Sequence, residues 1–191
     1  MKNTLSTESR GLVAFASKLE TVPGGRTIAV ADLVQATLLA GTPVGKDANG
    51  LGHVVKVAVV QAEAANDATT IRIKKIHDLK VGNHICSEEG AKAQTITAID
   101  TTNTTYDTVT IGTTLGVVIA ANAHIYEAAA ATESTDSALK YTPEGLVGED
   151  ITLQAGGSNL ASVVVRGSAY NSNIPPVGSV VKGKLPLIRF V

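Results

Sequence analysis

The sequence predicts an all-β protein, and three observations carry that reading: the apolar residues are mainly Val, Ile, Leu and Ala, Thr is abundant, and turn-forming residues interrupt the chain at short intervals. The 191 residues include 18 Gly and 44% hydrophobic residues, but only 3% aromatic ones and no Trp. β-Branched side chains suit a pleated, half-buried surface, and Gly, Pro and Asn supply the backbone angles of tight turns. Such frequent interruption leaves little room for long helices, and the length allows one ordinary domain or two small ones.

The first segment, residues 1–26, reads as an N-terminal arm. Residues 1–11 are polar and turn-prone, with little to bury. The stretch after them, LVAFASKLE, places Leu12, Val13, Phe15 and Leu19 close together and reads as a contact surface for a neighbouring molecule, with Phe15 as its anchor. A small helix or strand packing on its own domain fits the same pattern. Beyond the turn at Pro23-Gly24-Gly25, residues 27–39 satisfy strand and helix periods in part, and strand is the preferred reading. Asn49-Gly50 then marks a tight turn before the β-branched run from His53 to Val60, which together predict a hairpin.

A middle module over residues 69–128 carries five predicted short strands. Ile71 and Ile73, then Leu79 and Val81, alternate with polar residues, and a turn follows at Gly82-Asn83. Ile96 and Ile99, then Val109 and Ile111, lie in two Thr-rich runs around the loop TTNTT and predict a second hairpin. GVVIAANAHIYEA supplies a last strand. Five strands in so short a module resemble a small SH3-like barrel, a scaffold that implies no activity by itself. Residues 129–138 read as a linker. The final segment holds Val163, Val164 and Val165, the best candidate for a buried strand, and ends in LPLIRFV, which is apolar enough to require docking. The architecture expected is a discontinuous β domain, 27–68 plus 139–191, interrupted by the inserted barrel.

Net charge is −1, with basic and acidic residues scattered, so the chain has no electrostatic footprint for nucleic acid or anionic lipid. No apolar run approaches the roughly 20 residues that cross a bilayer. The single cysteine, Cys86, excludes an internal disulfide framework, and the N-terminus shows no apolar core of a secretory signal, which fits synthesis in a bacterial cytoplasm.

Motifs that would carry chemistry fall short. Gly41-Thr42-Pro43-Val44-Gly45-Lys46-Asp47 imitates a phosphate loop, but its glycines are one residue too close, Asp47 replaces the magnesium-binding Ser or Thr, and no helix follows. His77, His84, Cys86 and His124 are the side chains able to gather around a metal, without the spacing of a zinc motif. Cys86 paired with His77 or His124 is a weak nucleophile candidate, and a buried, inert thiol is the default. Glu88-Glu89 and Glu149-Asp150 sit at turns, where solvated carboxylates are ordinary. Asn103-Thr104-Thr105 matches a glycosylation acceptor and reads as a turn. Tyr106 and Tyr126 are the only aromatics available to a sugar site in the middle module. The expectation is therefore no catalytic residue, no metal and no cofactor.

Ala40-Gly41-Thr42-Pro43-Val44-Gly45-Lys46 with Asn49-Gly50 resembles the hairpin of head decoration proteins of tailed bacteriophages. Val163-Val164-Val165-Arg166-Gly167 is similar to their late strand. The segments 139–148 and 185–191 are similar to parts of larger phage capsid accessory and head fibre proteins. The resemblance implies a β-tulip-like body, a homotrimer at three-fold positions on the outer capsid surface of the virion, and an arm that engages the major capsid protein. It implies a non-enzymatic structural role. The middle module departs from the small, lambda-type members of that family, which lack such an insertion, and is a candidate site for a head fibre or a host glycan.

Overall fold

The computed structural model describes residues 12–191. In chain order the first strands are β1 (Phe15–Thr21), β2 (Arg26–Thr27), β3 (Thr37–Leu38), β4 (Pro43–Lys46) and β5 (Gly52–Val54). There follow β6 (Val57–Val59), β7 (Thr70–Lys74), β8 (His84–Cys86), β9 (Ala93–Asp100), β10 (Tyr106–Ile111) and β11 (His124–Ala128). The chain ends with β12 (Pro143–Val147), β13 (Ile151–Thr152), β14 (Leu160–Ala161), β15 (Val163–Ala169), the one-turn helix α1 (Ser179–Gly183) and β16 (Ile188–Phe190). The protein is all-β in class, as its composition predicts.

Two large sheets organise these strands. The body sheet runs β1-β15-β12-β4-β5, antiparallel throughout, with β16 added parallel to β15. The second runs β6-β11-β8-β9-β10-β7, and its two ends meet: Val60 bridges Ile73, and the Gln61 amide donates to the Arg72 carbonyl at 2.8 Å. The six strands thus form a closed ring, which leaves no free strand edge. Two small pairs, β2 with β14 and β3 with β13, lie outside both sheets.

Burial follows the alternation of the strands. Along β10, Asp107, Val109 and Ile111 are buried and the residues between them are half-exposed. Val109 and Ile111 join Ile71, Ile73, Ile85, Ile96 and Ile125 in the ring's interior. The body sheet is buried on both faces. Val163, Val147 and Val44 pack into one cluster with Ile28, Leu38 and Ala161. Their neighbours Val164 and Leu146 pack on the opposite face with Val181, Leu185 and Ile188. Two-sided burial is the physical reason for the unbroken valine run at 163–165. The second cluster also takes Val57, Cys86, Tyr126 and Ala128 from the ring, so ring and body share one apolar core.

Several expectations are corrected. The run from His53 to Val60 is not one strand: Val54 belongs to the body sheet and Val57 to the ring, where β6 pairs with β11. Residues 57–59 therefore sit with the module that was expected to begin at 69, and the ring has six strands instead of five. Leu79 and Val81 form no strand: Leu79 is buried in the irregular segment after β7, and Val81, 60% exposed, opens the turn with Gly82. Residues 27–39 form no continuous strand, only the short ends β2 and β3. The connector after β11 is tied down, since Thr132 bridges Ala93 and Glu133 takes an ion pair from Lys92 at 2.7 Å. The apolar C-terminus docks as β16 beside β15.

Candidate functional site

Of the four predicted contact residues, three are exposed and one is not. Leu12, Val13 and Leu19 are 77%, 64% and 68% exposed, whereas Phe15 is 8% exposed and packs in the shared core. Phe15 is taken by the protein's own fold because β1 is an integral strand, paired with β15 from Phe15↔Ala169 to Thr21↔Val164. The backbone before it is anchored as well: Tyr170 donates its amide to the Ala14 carbonyl at 2.8 Å, and Asn173 donates its side-chain amide to the Val13 carbonyl at 3.1 Å. The expected arm thus ends near residue 13. Its polar part, residues 1–11, lies outside the described residues.

Leu12 also lines an apolar groove of about 440 Å³ between body and ring, together with Leu39, Val59, Ile76, Ile174 and Pro175. Ile76 is 64% exposed at a φ of 68°, a left-handed conformation that is strained for a β-branched residue. Periodicity gives no sign of this groove, because its walls come mostly from loops, joined by the ends of β6 and β7.

The predicted chemical residues are separately engaged. The His77 ring accepts the Leu79 amide at Nδ1 (3.2 Å) and faces Asp107 Oδ2 with Nε2 at 3.0 Å, while Lys75 forms an ion pair with Asp107. His84 Nδ1 meets the Thr95 hydroxyl at 2.9 Å. Burial, and then the charges of Lys182 and Lys74, push the His124 imidazole below its ordinary range. Cys86 is fully buried, 3.7 Å from the Tyr126 carbonyl, and burial raises its thiol. Among the described residues no three such ligands gather where they can hold a metal ion. The residues resembling a phosphate loop include all of β4, with Gly41 packed against Ile174. Glu89 pairs with Lys184 at 2.7 Å, and Asp150 accepts the Ala40 amide at 2.7 Å. The Asn103 side chain caps its own turn by accepting from the Thr105 amide. Tyr126 is buried, and the guanidinium of Arg72 lies over Tyr106 at 5.2 Å, so the two tyrosines build no open platform.

Sequence reasoning missed the polar junction between ring and body. There His53 stacks on Tyr141 with ring centres 4.1 Å apart, between Asp32 at 3.7 Å and Asp47 at 3.5 Å. Beside it Glu127, 3% exposed, faces Lys56 Nζ at 3.6 Å and accepts from Lys140 Nζ at 2.9 Å. Lys56 Nζ also donates to Asn83 Oδ1 at 3.0 Å. His53 Nδ1 and Glu127 Oε2 are buried without a hydrogen-bond partner among the described residues. The one sequence signal was Lys56 itself, a charge set inside a β-branched run.

Among the described residues no helix is long and apolar enough to cross a membrane. Comparison with protein family models, curated proteins and solved structures returns no match to this chain.

Proposed function

We propose that this protein is a structural component of a tailed-phage head, bound to the outer surface of the capsid shell and acting without catalysis. The observation that carries the reading is the position of Leu12, Val13 and Leu19: three large apolar side chains left in water, two on the segment that leads into β1 and one on β1 itself, at the margin of the body sheet. Single exposed apolar residues are ordinary, but three within eight residues, the first of them lining an apolar groove, favour a contact surface. On this reading the body is the β-tulip-like decoration domain and the ring is an SH3-like barrel carried outward from the shell. The partner is the major capsid protein, and the protein acts as a homotrimer.

The contact set narrows to Leu12, Val13 and Leu19, since Phe15 is already buried. Removing residues 1–26 would strip β1 from the sheet, so that deletion is no clean test of binding. Mass spectrometry of purified virions from the source of this sequence finds the chain in mature heads if the reading holds. Leu12→Asp with Leu19→Asp then lowers occupancy on isolated shells without unfolding the chain. Absence from heads, or full occupancy by the double variant, overturns the assignment.

A further inference from the structure

The polypeptide passes between body and ring twice, once at 55–56 on the way into β6 and once after β11 on the way back to β12. Both passages converge on one residue. The Glu127 amide donates to the Lys56 carbonyl at 3.1 Å, and the Lys140 amide donates to the Glu127 carbonyl at 3.1 Å. The same three residues meet again through their side chains, with both ammonium groups on Glu127 Oε1. We infer that Glu127 is a latch: one carboxylate grips both passages through main chain and side chain and holds the ring in a single orientation on the body.

The two lysines differ in what they do if the carboxylate is lost. Lys140 is 31% exposed at its side chain and can turn its charge to water, whereas Lys56 is 2% exposed and cannot. Burial already pulls the Lys56 ammonium below the usual lysine range, partly offset by Glu127. The other charges that face it are Lys140 from the return passage, Asp32 from the loop before β3, and Asp78 from the segment after β7. Neither aspartate stands within ion-pair distance of it, so Glu127 is its one close counter-charge among the described residues. A buried ion pair adds little over a well-packed apolar pair, but stranding one of its charges is strongly destabilising. A local opening at the two passages admits water to a stranded Lys56 without separating the apolar core that ring and body share. Complete unfolding would also sacrifice the closed ring, whose interior does not depend on the junction.

The test is amide hydrogen exchange on the full chain. In Glu127→Gln the amides at 127 and 140 exchange about a hundredfold faster than in the wild type, while amides of β10 and β15 keep their protection. Adding Lys56→Met removes the stranded charge and returns the two junction amides to near wild-type exchange. A uniform rise across both sheets, no change at all, or a double variant that opens as far as Glu127→Gln overturns the latch. Should Glu127→Gln fail to fold, the double variant decides: protected junction amides uphold the inference, and exposed ones or a second folding failure refute it.

Discussion

Replacing Phe15 by Ala separates two roles that the sequence alone left open for this side chain, core residue and contact anchor. Phe15 is 8% exposed, so nearly all of its ring is removed from water. About 150 Å² of aromatic surface, at about 25 cal/mol per Å², corresponds to about 3.8 kcal/mol. The methyl that alanine keeps retains about 0.8 kcal/mol of this, leaving a loss of about 3 kcal/mol. That figure falls at the lower end of the range of about 3–5 kcal/mol for Phe→Ala in cores. The lower end is appropriate, because β1 is a marginal strand whose end can settle into the space left behind. With a urea slope of about 2 kcal/mol per M, the unfolding midpoint drops by about 1.5 M. Leu19→Asp, on the same strand but 68% exposed, leaves the midpoint nearly unchanged. A Phe15→Ala midpoint within about 0.3 M of wild type would show that β1 does not bury this ring and would return Phe15 to the contact surface.

Gly178→Ala places a methyl against the Tyr126 phenol, with Cζ at 2.6 Å and the His124 Cβ at 2.8 Å, and costs about 1–3 kcal/mol in a thermal or urea melt. Adding Tyr126→Phe recovers part of that loss, and no recovery would place the strain elsewhere. Two hydrogen bonds from Arg26, at 2.7 and 3.0 Å, hold the Glu144 carboxyl below its usual range. The folded chain therefore gives up this proton more readily than the unfolded one, so the pair stabilises above the unfolded value of about 4.3 and loses its effect as pH falls through the lower folded value. Wild type and Glu144→Gln accordingly converge in stability as urea melts are taken from neutral pH into that acid window; a constant gap would refute the linkage. Cys86, buried and with its thiol raised by burial, reacts with a thiol reagent at least about a thousandfold more slowly in the folded chain than in denaturant, and rapid native labelling would sink that prediction.

What was legible in the sequence is what short-range periodicity encodes. The alternation at Val109 and Ile111 puts both in the ring interior, and Asn49-Gly50 does turn a hairpin, with Gly50 at a φ of 84° and Asp47 accepting the Asn49 and Leu51 amides. The valine run at 163–165 does lie in a strand covered on both faces. What stayed hidden depends on partners distant in the chain. Nothing local distinguishes Val54 from Val57, yet they belong to different sheets, and the passage between them is marked only by Lys56, whose counter-charge Glu127 comes many strands later. Phe15 was misread for the same reason, because the strand that buries it, β15, lies near the other end of the sequence. A charge inside a β-branched run is usually a solvated face; here it is a point where the chain changes sheets.

The arrangement of edges bears on how the proposed shell contact can work. A closed ring offers no strand edge, and on the far side of the body sheet β5 is covered where Ile28 bridges Gly52 and the Ala29 amide donates to the Gly52 carbonyl. Among the described residues the open margin at the other end is β1. Its pairing with β15 contains three register shifts in seven residues, and such irregular strands are poor templates for a further strand. Affinity drawn from main-chain pairing at β1 is therefore disfavoured. The exposed side chains offer the alternative. Leu12 borders the apolar groove just before β1, and Leu19 lies exposed on β1, so on the proposed reading the shell is held by side-chain burial at these two positions. The two modes separate cleanly by experiment: aspartate at 12 and 19 abolishes a side-chain contact, whereas a contact made by main-chain hydrogen bonds survives both substitutions.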